Sequence, residues 1–125
     1  MKRLPNFPSH YLEIIVFVIM NTDRVKGSEV FLYFFPPKEQ KISAEEHAVR
    51  WEIVHVAANE VGFEEIQKVL KKVITAYRKV GDGKVLSEQA TYEIVKDRLR
   101  KSRQATEETK LFNQFIQAVI EKVKA

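Results

Sequence analysis

The sequence predicts a mainly α fold: a compact bundle of about five helices, in a single domain over residues 1–125. Two observations carry this. From residue 43 onward, apolar residues recur at helical spacing rather than in strand alternation. The segments so defined begin with capping residues and stop at glycines, in the order that opens and closes helices. Hydrophobic residues make up 45% of the 125, enough for a core and too many for a disordered chain.

Pro5 and Pro8 make the first residues irregular, and Ser9 stands where a helix N-cap would. "YLEIIVFVIM" follows. Leu12, Ile15, Val16 and Ile19 have helical spacing, while the β-branched content also suits a buried strand; helix is the preferred reading. The basic start and this apolar run resemble a signal peptide. However, the ten residues from Tyr11 to Met20 include Glu13, no small-residue cleavage site follows, and the run is far short of a membrane span. It is expected to be core. "NTDRVKGS" reads as a loop, and "EVFLYFF" as a short buried helix or a strand ended by Pro36–Pro37. If residues 11–35 are extended, the two runs form a β-hairpin.

"SAEE" at 43–46 is a capping box, with Ser43 as cap and Glu46 reaching back. Its helix runs to about Glu60 and stops at Gly62. "FEEIQKVLKKVITAYRKV" sets Phe63, Ile66, Leu70, Val73, Ile74 and Tyr77 on one face. Glu64 and Glu65 lie in its first turn, Arg78 and Lys79 in its last, as the helix dipole favours. "GDG" at 81–83 ends it, and Ser87 caps the next helix. "ATEET" breaks the chain with Thr106 as cap. The last helix is amphipathic through Leu111, Phe112, Phe115, Ile116, Val119, Ile120 and Val123.

Charge is uneven. The net is +4, yet residues 1–62 hold seven basic and eight acidic side chains, and residues 105–125 three of each. Residues 63–104 hold eleven basic and six acidic, so the excess sits in the middle. Such a patch attracts an anionic partner at long range. Its densest part is "KDRLRKSRQ", 96–104. On a helix, Lys96, Arg100 and Arg103 fall along one line beside an apolar stripe of Tyr92, Val95 and Leu99, while Arg98 and Lys101 take the opposite flank with Ile94. Lys68, Lys71, Lys72, Arg78 and Lys79 would enlarge the patch if their helix packs alongside. Three readings stand: a solvated face, a grip on a nucleic-acid backbone, or a docking surface for an acidic protein.

His47, Trp51 and His55 are spaced i, i+4, i+8. Eight helical residues separate the histidines by about 12 Å, too far to share a metal. The line would stack on bases or pack at a helix contact. His10 stands alone. No cysteine is present, which excludes disulfides and thiolate chemistry and fits a reducing cytoplasm. There is no HExxH, GxSxG or phosphate-binding glycine loop, and "GDGK" at 81–84 reads as a turn. The expectation is therefore a protein without catalytic activity, cofactor, metal or small-molecule substrate. A composition rich in Lys, Glu, Val and Ile and poor in Gly points to a thermophilic source.

From about Ala57 to Lys124, the order of elements resembles the small helical subunit of archaeal type I CRISPR surveillance complexes, type I-A in particular. "FEEIQKVLKKVITAYRKV" is a helix ending in an aromatic and basic residues. A turn, the capped polar helix "LSEQATYEIVKDRLRK" and the closing apolar helix "LFNQFIQAVIEKV" follow. The likeness covers roughly half the chain, and "EVFLYFFPP" has no counterpart in it. It implies a non-catalytic subunit in antiviral defence. Copies would stack along a crRNA-guided complex and contact the backbone of the displaced or target strand, with sequence choice left to guide pairing. The contacts would be Lys96, Arg98, Arg100, Lys101 and Arg103, supported by Lys71, Lys72 and Arg78.

Two further readings compete. One is a protein-interaction module (a homo-oligomer, adaptor or viral protein) using "FLYFFPP" and the last helix. The other is a helix-turn-helix regulator built from 63–80 and 87–103, although "GDGKVLS" is longer than the usual tight turn.

Overall fold

The computed structural model describes residues 9–22, 24–84 and 86–124. They form α1 (Ser9–Thr22), α2 (Arg24–Phe34), α3 (Ala44–Val61), α4 (Phe63–Gly81), α5 (Glu88–Lys101) and α6 (Ala105–Lys124). The fold is a helical bundle, with six helices rather than about five and no strand among the described residues. Pro5 and Pro8 lie outside those residues.

The extended reading of 11–35 is corrected. Both apolar runs are helical, and most of "NTDRVKGS" belongs to helix rather than loop: Asn21 and Thr22 end α1, and Arg24–Ser28 open α2. Asn21 donates to the Phe17 carbonyl one turn back, at 2.9 Å, and so helps close the end of α1. Packing decides the rest. Ile14, Ile15, Val16, Val18 and Ile19 of α1 are all buried, so the middle of this helix is apolar nearly all round and enclosed by its neighbours. α2 packs on it and adds Val30 and Phe34 to the same core.

The α2 C-terminus is finished from another helix. Arg50 of α3 donates from Nη1 to the Tyr33 carbonyl at 2.9 Å, and its guanidinium lies 4.8 Å from the Tyr33 ring centroid. A cation thus meets the negative end of the α2 dipole. Ser43 caps α3 by accepting from the Glu46 N–H at 3.0 Å, while the Glu46 carboxylate pairs with Arg50. Gly62 ends α3 with φ +115°, where a Cβ would lie 2.7 Å from the Glu65 carboxylate. α4 starts immediately afterwards.

α4 buries Ile66, Leu70, Val73 and Ile74, as its spacing predicts, and Val69 besides, while Phe63 and Tyr77 of the predicted face are partly buried. Asp82 closes it in the left-handed region, φ 47°. The Tyr77 hydroxyl accepts from the Leu86 N–H at 3.0 Å and ties the connecting loop to α4. Ser87 caps α5 through the Ala90 N–H at 3.2 Å. The break before α6 is earlier than "ATEET". It falls at Ser102–Gln104, with the Ser102 hydroxyl accepting from the Gln104 N–H at 3.2 Å, so Thr106 lies inside the first turn of α6. Phe112, Phe115, Ile116, Val119 and Ile120 of α6 close the core against α3, α4 and α5. Lys122 donates to Glu60 at 2.6 Å and links α6 to the end of α3.

Candidate nucleic-acid interface

α4 and α5 pack side by side, joined by a short connection. Their apolar faces, Val69, Leu70 and Val73 on one and Val95 and Leu99 on the other, turn into the core. Helical geometry then sends the remaining positions outward along the seam. Lys71, Lys72 and Lys79 of α4 line one groove together with Arg98 and Lys101 of α5, a cavity of about 540 Å³. At its end Lys72, Arg98 and Lys101 meet Arg103 in a second cavity of about 420 Å³, formed where α5 turns into α6.

The predicted site residues are therefore divided. Lys71, Lys72, Arg98, Lys101 and Arg103 converge. Lys96 and Arg100 border a different groove on the far flank of α5, with Tyr92, Glu93, Thr109 and Asn113. Lys96 there rests 5.2 Å from the Tyr92 ring centroid, a cation–π contact. Arg103 does not continue the line of Lys96 and Arg100. The helix ends at Lys101, and the turn carries Arg103 to the α4 side. Arg78 stands exposed in the last turn of α4 and is not part of the groove lining.

Two carboxylates set the electrostatics. Asp97 accepts from Lys101 at 3.0 Å and from Arg100 at 2.9 Å, and these hydrogen bonds hold its carboxyl below the usual range. Glu108 is the one sequence reasoning missed. It accepts from Lys72 Nζ at 2.6 Å, with only 10% of its side chain exposed against 43% for Lys72. Burial pushes the Glu108 carboxyl up. Hydrogen bonds from Lys72 and Ser102, with the charges of Lys72 and Arg98, outweigh burial and hold it below its ordinary value. The sequence did carry a signal: Glu108 falls in register with Phe112, Phe115 and Val119, an acid on the apolar stripe of α6.

Among the described residues, ion pairs occupy Lys72, Arg100 and Lys101, whereas Lys71, Lys79, Arg98 and Arg103 are left without one. The groove can thus offer exposed cations, free of an ion pair, to a row of anions.

The aromatic line on α3 is packing rather than a stacking platform. His55 is fully buried, and half-buried Trp51 meets it edge-on at 6.2 Å between centroids; His47 alone is exposed. Burial lowers the His55 pKa, with the charge of Glu52 opposing. Among the described residues, no group of three His, Cys, Asp or Glu is placed to hold a metal ion, and no helix is long and apolar enough to cross a membrane. No family model, curated protein or solved structure matches the chain.

Proposed function

We propose that this chain is a non-catalytic nucleic-acid-binding subunit of a larger ribonucleoprotein assembly, holding a DNA or RNA backbone in the α4–α5 groove. The supporting observation is the convergence of six cations, Lys71, Lys72, Lys79, Arg98, Lys101 and Arg103, on one continuous surface. Contacts of this kind neutralise phosphates and carry no sequence information. The succession of α4, α5 and α6 also keeps the order of elements that resembles the small subunit of type I CRISPR complexes. On that resemblance the strand held belongs to a crRNA-guided target, and the process is antiviral defence.

Fluorescence anisotropy with labelled DNA and RNA across a salt series tests this. Binding should ignore sequence and weaken steeply with salt. The variant Lys71→Glu/Arg98→Glu/Arg103→Glu should bind about 100-fold more weakly with an unchanged helical circular dichroism spectrum. Wild-type affinity in that variant would overturn the reading.

A protein-interaction role is favoured by one other feature. Val49 and Val56, 59% and 41% exposed, lie two turns apart on the outer face of α3. Subunit contact there is compatible with backbone binding on the α4–α5 side. Multi-angle light scattering with and without Val49→Lys/Val56→Lys reads out self-association through that face.

A further inference from the structure

Besides its cations and Asp97, the α4–α5 groove is lined by Thr75, Ala76, Val80 and Ile94. The lining offers no aromatic ring on which a base could stack, and its side-chain amide is Gln104, exposed at the Arg103 end. Aromatic groups near it are committed elsewhere: the Tyr77 hydroxyl to the connecting loop, and Tyr92 to Lys96 on the opposite flank. The cations sit on regular helices. Lys71 and Lys79, two turns apart on α4, span about 12 Å along its axis.

We infer that the groove selects a double-helical backbone over a single strand, an inference that rests on the backbone-binding reading above. A flexible single strand must be ordered before it can present phosphates to cations spaced along two helices, and that ordering opposes binding. Proteins that hold single strands offset the cost by stacking bases on aromatic side chains, about 1–3 kcal/mol per base. This groove lacks that compensation. In a duplex the phosphates are already fixed in position. Its charge density is also higher, one per about 1.7 Å of axis against one per about 3.4 Å for each strand. An array that works through charge alone therefore gains most from a duplex.

The test compares a mixed-sequence 20-base-pair DNA duplex with unstructured dT20 at 50 mM and 200 mM salt, reading anisotropy. The duplex should bind at least about 10-fold tighter than dT20 at each salt, and Lys71→Glu/Arg98→Glu should erase that preference. Equal or tighter binding of dT20 would overturn this inference while leaving the backbone-binding reading intact. A duplex preference that survives in the variant would overturn it too, by placing the preference outside the groove. Binding of neither ligand at 50 mM salt would overturn both.

Discussion

Arg98 and Lys101 share a groove with Lys71, Lys72 and Lys79 of α4. Lys96 and Arg100, on the other flank of the same helix, border a groove whose other members include Tyr92, Glu93, Thr109 and Asn113. The four α5 side chains are alike in type and in local sequence. They differ in what the tertiary fold sets opposite them. On the α4 side six cations, Lys71, Lys72, Lys79, Arg98, Lys101 and Arg103, outnumber the acids Asp97 and Glu108, and the potential rises; on the other an aromatic face and the acids Glu93 and Asp97 offset Lys96 and Arg100. A basic run on a helix is thus not one surface but two, and packing decides which of them gathers positive charge.

The largest effect expected separates the flanks directly. Arg98→Glu/Lys101→Glu should weaken nucleic-acid binding about 100-fold, while Lys96→Glu/Arg100→Glu should cost less than about 5-fold. Exposed ion pairs contribute little to folding, so Lys96→Glu/Arg100→Glu should melt close to wild type; Arg98→Glu also removes a charge that supports the buried Glu108 carboxylate, so that variant should melt lower while keeping its helical circular dichroism spectrum. Equal losses in anisotropy titrations would restore the undivided patch and break the comparison.

Next in size is a contrast within the groove itself. Lys71 and Lys72 are adjacent, but only Lys72 answers a buried carboxylate. Lys72→Ala should lower stability by about 1–2 kcal/mol, below the usual cost of breaking a fully buried pair because Lys72 is partly solvated. Lys71→Ala should change stability by less than about 0.5 kcal/mol. Urea denaturation reads both. Adding Glu108→Leu to Lys72→Ala should recover much of the loss, since no unpaired charge then remains in the interior.

Acid acts on the fold through two buried groups, His55 and Glu108. His55 has a lowered pKa in the folded state, so the unfolded chain binds its proton first. Its contribution is complete above roughly pH 6.5 and is lost as pH falls below that. Glu108 also has a lowered folded pKa. As a carboxyl, its contribution is complete above roughly pH 4.3 and is lost as pH falls through the folded value. The melting temperature should therefore fall in two steps on acidification. His55→Phe should remove the upper step and Glu108→Gln the lower. A melting temperature independent of pH between 7.5 and 5.5 would contradict the burial of a neutral His55.

Much of the fold was legible in the sequence, and the reason lies in local chemistry. Ser43, Gly62, Ser87 and the apolar stripe of α4 act within a few residues, and each does what its spacing indicates. The α1–α2 region was harder to read because the middle of α1 is buried on nearly every side, while α2 leaves the apolar Leu32 exposed, so neither shows the clean polar face that reveals period. "NTDRVKGS" looked like a loop because its propensities are poor, and packing of Val30 and Phe34 on α1 overrode them. For the site, the excess of charge and the resident helices could be read, but the division of the patch could not. It depends on where the α5–α6 turn delivers Arg103 and on which flank α4 covers, both tertiary facts. Glu108 was readable as an acid out of place, though not its partner Lys72, which lies 36 residues away.

The smallest effect concerns the residue that belongs to both flanks. Asp97 lines both grooves and pairs with one cation from each, Lys101 on the α4 side and Arg100 on the other. If backbone binding depends on summed charge, removing this acid should help. Asp97→Asn should then tighten binding about 2- to 5-fold, more at low salt than at high, because exposed charges are screened. If instead Asp97 matters by holding Lys101 in position, the same variant should bind more weakly, and the loss should persist at high salt. The two accounts thus differ in sign. A gain would make the groove an electrostatic surface whose details are interchangeable. A loss would make it a shaped site, with the far flank of α5 contributing through the carboxylate that Arg100 and Lys101 share.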